Sequence, residues 1–239
     1  REAGFEVTLK EAGMGIDIVQ EVVSGRAAFG VGTSELMISY AQGEPVLMLA
    51  PIFQHSPLMM LVRADAGIDS VHDLPGKQVM IEPQSAQLLA YFLSEGISLD
   101  TLQYRTHNFE IKDLITGRID GLSAYVSDEP FLMESAEIPY RMFTPRTNGM
   151  DFYGDTLFTS QAYFKQSPQK VKAFREASLK GWQYALSHQE EVIQLIRERY
   201  SARKSEAHLR YEAAHTFDMI HPDFIEVGYS NPGRWQHIQ

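Results

Sequence analysis

The 239-residue chain contains no cysteine. That excludes a disulfide scaffold, a thiolate metal site and a cysteine nucleophile. No run of 18 apolar residues occurs, so nothing in it reads as a membrane-spanning helix. Positive charge is scarce, with 21 Lys and Arg against 31 Asp and Glu and a formal net charge of −10. Phosphate binding needs clustered cations, and the densest basic stretch, Arg197–Lys204, reads as a helix end and a turn. Nucleic acid is therefore not an expected partner. There is no Gly-x-Ser-x-Gly elbow and no phosphate-cradling glycine loop with Lys. The eight histidines are scattered; His208 and His215 are seven apart, and no acid–His group has zinc spacing. No metal, cofactor or catalytic group is expected.

What is present is a globular composition, 44% hydrophobic and 22% charged, enough for one large domain or two ordinary lobes. The chain opens on REAGFEVTLK without methionine and closes on RWQHIQ inside a helical pattern. It is expected to be a piece of a longer protein, cut at both ends. Val7–Lys10 reads as a short strand, Asp17–Ser24 as a helix stopped by Gly25, Ala28–Gly32 as a short buried strand and Glu35–Gln42 as a helix. Val46–Phe53 and Leu58–Arg63 have strand length. Strands at Gln78–Glu82, Leu102–Thr106, Gly121–Val126 and Tyr140–Thr144 alternate with helices at Ser85–Glu95, Glu110–Thr116 and from Glu129. From about Gly154 the pattern turns almost wholly helical, with Ser167 as a cap, Pro168 in the first turn and Trp182 on a core stripe. Alternating strands and helices predict an α/β protein with mostly parallel sheets.

One phrase occurs twice: QEVVSGRAAFGVGTSEL at 20–36 and KDLITGRIDGLSAYVSDEP at 112–130, with Gly25 and Gly117 lying 92 positions apart. Each reads as a last helix turn, a Gly-Arg stop and the next strand. The expectation is that one helix-to-strand corner is built once in each of two lobes; the alternative is a chance match between Gly-Arg helix stops, which are common. Ligands in open α/β sheets bind where a strand gives way to a helix. Three such corners carry hydroxyls, amides or carboxylates: Thr33-Ser34, Gln84-Ser85 and Asp128-Glu129. Either these residues contact a ligand or they only cap their helices. Gln54 and His55 end an apolar strand where the chain prepares to cross between lobes. Tyr125 precedes the second repeated corner, and Tyr153, Gly154 and Asp155 lie in the return crossover. Aromatic rings there suit a flat heterocycle, and the carboxylates suit its amino groups.

GVGTSELMISYAQGEPVLMLAPIFQHSP at 30–57, DLPGKQVMIEP at 73–83, the second repeat and SPQKVKAF at 167–174 together resemble the periplasmic-binding-protein family related to fungal thiamine-pyrimidine synthase. The resemblance covers nearly the whole chain. It implies a type II periplasmic-binding-protein fold of two α/β lobes closing on a small molecule, with a helical C-terminal part. The lobes would be residues 1–63 with 154–239, the first strand missing, and residues 64–153. The synthase branch uses a Schiff-base lysine, a nearby His and a cysteine-rich loop with iron. The corner here reads GVGTSELM, without Lys or His, and no cysteine exists, so that chemistry is not expected. DFYGDTLFTSQAYF at 151–164 and GYSNPGRWQHI at 228–238 resemble versions fused to membrane signalling proteins. The resemblance thus implies an extracytoplasmic, non-catalytic binding domain for a heterocycle such as a thiamine-pyrimidine precursor. Its partner would be a fused histidine kinase or diguanylate cyclase, or alternatively an ABC permease.

Overall fold

The computed structural model describes residues 4–13, 15–108, 110–201 and 203–238. In chain order the elements are α1 (Ile18–Val23), β1 (Phe29–Gly32), α2 (Leu36–Ala41), β2 (Val46–Pro51), β3 (Leu58–Arg63), β4 (Gln78–Met80), α3 (Ala86–Ser94), β5 (Gln103–Arg105), α4 (Lys112–Ile115), β6 (Gly121–Tyr125), α5 (Glu129–Ser135) and β7 (Tyr140–Phe143). There follow β8 (Thr156–Ser160), α6 (Gln161–Gln166), α7 (Pro168–Ser187), α8 (Gln189–Arg199), α9 (Glu206–Ile220) and α10 (Pro232–Ile238). The chain divides into two compact units. The first comprises Arg1–His55, Tyr153–Val192 and Phe217–Gln239; the second comprises Ser56–Phe152 and Ile193–Thr216.

The first unit is built on a three-stranded sheet ordered β1-β8-β2, antiparallel throughout. Phe158, on the central strand, is fully buried with Val22, Leu36 and Val46. A second cluster joins Ala50, Ile52, Phe53, Ile220 and Val227, with Trp182 of α7 packed against it, as its helical stripe predicts. Trp182 meets the Phe53 ring edge-on at 6.2 Å.

The second unit carries a five-stranded sheet ordered β5-β4-β6-β3-β7. In β3, Met60 and Val62 face one apolar cluster while Met59 and Leu61 face another. Successive strand residues point to opposite faces, so this strand is buried on both and reads as an unbroken apolar run.

The α/β character holds, but the prediction of mostly parallel sheets does not. Among the described residues, β4 pairs parallel with β5 and β6, whereas the other four pairings are antiparallel. Parallel neighbours need a helical crossover within one sheet, and only β4-α3-β5-α4-β6 supplies it. The largest surprise is β8, in the stretch expected to be helical. Its buried hydroxyls are satisfied internally: Thr156 donates to Gly154 O at 3.0 Å, Thr159 to Ala28 O at 2.7 Å, and Ser160 accepts from Tyr163 N at 3.1 Å. Residues 7–10 form no strand; Val7 and Leu9 are exposed, so alternation there has no face to bury. The short strand expected to be buried, β1, is the sheet edge, with Val31 half-exposed. The boundary expected after residue 63 falls at His55/Ser56, because β3 bonds to β6 and β7. Residues 193–216 also belong with the second unit rather than the first. Pro168 opens α7 as expected, but the Ser167 side chain makes no capping bond. Gln239 and residues 1–3 lie outside the described residues.

Candidate ligand-binding residues

In the first unit the expected residues gather at one end of the three-stranded sheet. Gly32 and Pro51 both lie opposite Thr156, so Thr33-Ser34, Gln54-His55 and Tyr153–Asp155 all leave the sheet at that end. Two crossover segments zip together there: Ile52 N and Phe53 N donate to Asp155 O at 2.7 and 3.2 Å, and Gly154 N donates to Phe53 O at 3.1 Å. Thr33 Oγ1 accepts from Glu35 N at 3.3 Å in the turn ahead of α2, whose N-cap, Glu35, makes no side-chain capping bond. Ser34 is buried.

Gln54 and His55 are tied to residues that the sequence did not point to. Their backbone N–H groups both donate to Met219 O, and Gln54 Nε2 donates to Tyr229 O at 3.0 Å. The His55 ring sits edge-on to His221 at 5.6 Å. Tyr153 is 1% exposed. Its hydroxyl accepts from Asn231 N at 3.0 Å, the Arg234 guanidinium lies 4.2 Å from its ring centroid, and the Trp235 ring lies at 4.7 Å. Asn231, Arg234 and Trp235 were missed; the only signal for them was Asn231 ahead of Pro232 as a helix start.

Asp155 differs from its neighbours. Among the described residues its carboxyl makes no hydrogen bond and no ion pair, and burial alone pushes it up to about 6. A carboxyl desolvated without a partner gains from any hydrogen-bond donor that reaches it.

In the second unit the parallel strands β4 and β6 end on the same side, and Leu58 at the start of β3 lies opposite Tyr125. Gln84, Ser85, Tyr125, Asp128 and Glu129 follow from that end. Ser85, the residue before α3, is fully buried, and its Oγ has no partner among the described residues. Tyr125 leans on the core, and its backbone N–H donates to Glu129 Oε2 at 2.8 Å. Burial and the neighbouring Asp128 carboxylate push Glu129 up to about 7. Glu82, which the sequence did not single out, is also raised by burial alone.

Asp128 is committed within the chain. Its Oδ2 accepts from Lys204 Nζ at 2.8 Å, and its Oδ1 lies 2.6 Å from His208 Nε2. Lys204 also donates to Glu212 Oε1 at 2.5 Å. Burial opposes the Lys204 charge, but these two carboxylates outweigh it and hold the ammonium above its ordinary value.

Each sheet end gathers hydroxyls, aromatic rings and desolvated carboxyls, and among the described residues neither presents a nucleophile paired with a base. The family described as NMT1/THI5 like matches residues 1–192. The chain belongs to that family. Among curated relatives, the riboflavin-binding protein RibY of Chloroflexus aurantiacus is 21% identical over 177 residues, 72% of this chain and 50% of RibY. The formylaminopyrimidine-binding protein of Halalkalibacterium halodurans is 23% identical over 204 residues, 82% of this chain and 61% of that protein. The chain therefore spans half to about three fifths of the length of these two relatives. The fold is that of periplasmic binding proteins. The aliphatic sulphonate binding protein SsuA of Escherichia coli matches with a TM-score of 0.64 at 14% identity, covering 88% of this chain and 76% of SsuA. SsuA of Methylobacillus flagellatus gives 0.59 at 21% identity, covering 82% and 60%. The relatives are named as binding proteins, not as enzymes.

Proposed function

We propose that this chain binds a small nitrogen heterocycle of the aminopyrimidine or flavin class outside the cytoplasm, without transforming it, and serves an ABC permease. The observation that carries the reading is Asp155: a partly buried carboxyl with no hydrogen bond or ion pair among the described residues, on the segment that zips onto Ile52 and Phe53. A ring N–H or amino group supplies the missing donors, and a charge-assisted hydrogen bond to it is worth more than a neutral one. The names of two relatives, one for riboflavin and one for a formylaminopyrimidine, support the same ligand class. The absence of cysteine removes the thiolate chemistry of the synthase branch.

The test is a thermal-shift screen against thiamine, its pyrimidine precursors, riboflavin, aliphatic sulfonates and amino acids. A ligand that binds only the folded state raises the melting temperature with the logarithm of its excess over Kd. A shift by a pyrimidine or flavin that is lost in Asp155→Ala and weakened in Tyr125→Ala supports the reading. A shift by sulfonates alone overturns the ligand class, since an uncompensated carboxylate repels an anion.

A second reading, the sensor of a membrane-bound kinase or cyclase, has one observation in its favour. The two stretches that resemble signalling versions pack on each other through Tyr153, Asn231 and Trp235. The full-length gene separates the two: a membrane helix followed by signalling modules favours the sensor, and a solitary binding domain favours transport.

A further inference from the structure

Among the described residues, one group of His, Asp and Glu side chains brings three ligand atoms within 4.8 Å of one another: Asp128, His208 and Glu212. His208 and Glu212 are one helical turn apart on α9 and share a face. Asp128 comes from the corner between β6 and α5, 80 residues away in sequence, so no linear spacing announces the group. All three belong to the second unit.

His208 provides the independent sign. It is 4% exposed, its ring stacked on Phe131 at 4.5 Å and 17°. Its Nε2 is buried and forms no aligned hydrogen bond, and the same is true of Asp128 Oδ1. The two atoms nevertheless lie 2.6 Å apart. The separation is that of an ion pair, but the N–H does not point along it. Two buried polar atoms that face each other without that alignment lack a satisfied bond, and a shared cation would give both a partner.

Lys204 shows that the position already attracts a cation. Its ammonium bonds to Asp128 at 2.8 Å and Glu212 at 2.5 Å. One ammonium leaves two carboxylates under-compensated, whereas a divalent ion neutralises both and also uses the imidazole. The Lys204 side chain is 34% exposed, so it can swing into water.

We propose that Asp128, His208 and Glu212 form a divalent transition-metal site for which Lys204 is the competing cation. One imidazole and two carboxylates suit Zn2+, which takes N and O ligands and keeps a further position for water. Mg2+ is a poor match, because it prefers all-oxygen shells and dehydrates reluctantly.

The experiment is calorimetric titration of the metal-stripped chain with ZnCl2 and, separately, MgCl2 at pH 7. The expected result is one zinc per chain and no magnesium binding. His208→Ala weakens zinc binding by more than about 100-fold, because losing a direct ligand costs more than losing an outer-shell partner. Lys204→Met tightens it by about tenfold or more, because the competitor is gone. Cobalt substitution supplies a second readout, since d–d absorption reports an imidazole and carboxylates at low coordination number. Far-UV circular dichroism confirms that each variant is folded. No zinc binding by the parent chain, zinc binding unchanged in His208→Ala, or weaker binding in Lys204→Met overturns the proposal and leaves the group as an ion-pair network alone. None of these readouts depends on the heterocycle, so this test and the solute screen fail separately.

Discussion

Arg118 Nε donates to Asp113 Oδ1 at 2.7 Å, five residues back across a helix stop, and Arg26 Nε donates to Glu21 Oε1 at the same distance and spacing. The match extends to the backbone. Arg118 N and Ala27 N both reach back to those acidic residues' carbonyls at 2.9 Å. Thr116 and Ser24 each return a hydroxyl to the carbonyl four residues earlier. Gly117 and Gly25 take φ of 71° and 77°. One corner lies in each unit, so the repeated phrase records one helix-to-strand device used twice. At Gly117 an added Cβ meets nothing within 4 Å, so only backbone strain opposes a side chain. Gly117→Ala should therefore cost about 1–2 kcal/mol. Arg118→Ala should cost much less, because its ion pair is exposed. Urea unfolding of both variants checks this; an alanine at 117 without effect would refute the strain argument.

Phe158 tests the strand that the sequence concealed. It is fully buried at the centre of the first sheet, between Val22, Leu36 and Val46. Phe158→Ala should destabilise the chain by about 3–5 kcal/mol, as large-to-small changes in a close-packed core do. If residues 156–160 were a surface helix, the loss would be near zero. Chemical denaturation distinguishes these outcomes.

Local signals explain which parts were legible. Gly25 and Gly117 announced their helix stops because left-handed backbone selects glycine. β3 announced itself as an apolar run because both its faces are covered. β8 did not, because three of its five residues carry hydroxyls that are buried and internally bonded. Ser85 was singled out because it lies between a strand and a helix start, and Asp155 because it lies in the return crossover, directly ahead of β8. The partners of candidate residues were not legible: Asp128 meets Lys204 and His208, and Tyr153 meets Asn231 and Trp235, across 76 and more residues of chain. Contacts of that separation leave no periodicity in the sequence.

Asp155 makes the stability of the chain depend on pH. Burial raises its carboxyl from 3.8 to about 6. The folded state then holds a proton that the unfolded chain has released, so this contribution is complete below pH 4 and is lost as pH rises through 6. The loss approaches about 3 kcal/mol above pH 7. Asp155→Asn should remove it, gaining stability at pH 8 relative to the parent and little at pH 4. Urea midpoints at pH 4, 6 and 8 give the answer; parallel profiles for the two proteins would show that the carboxyl is not desolvated.

The clamp on Tyr153 gives a prediction about coupling. Tyr153→Phe keeps the ring but takes the acceptor from Asn231 N, at a cost of about 1 kcal/mol. Trp235→Ala removes a ring that lies 4.7 Å from Tyr153, at a cost of about 0.5–1.5 kcal/mol beyond the lost area. Both changes loosen the same segment, since Trp235 Nε1 also donates to Ser230 Oγ at 2.8 Å, next to Asn231. Once the segment has left Tyr153, the second substitution has less to remove. The double variant should therefore lose less than the sum of the singles, by at least about 0.5 kcal/mol. A double-mutant cycle by thermal unfolding measures that difference, and strict additivity would mean that residues 230–235 are not held as one piece by Tyr153.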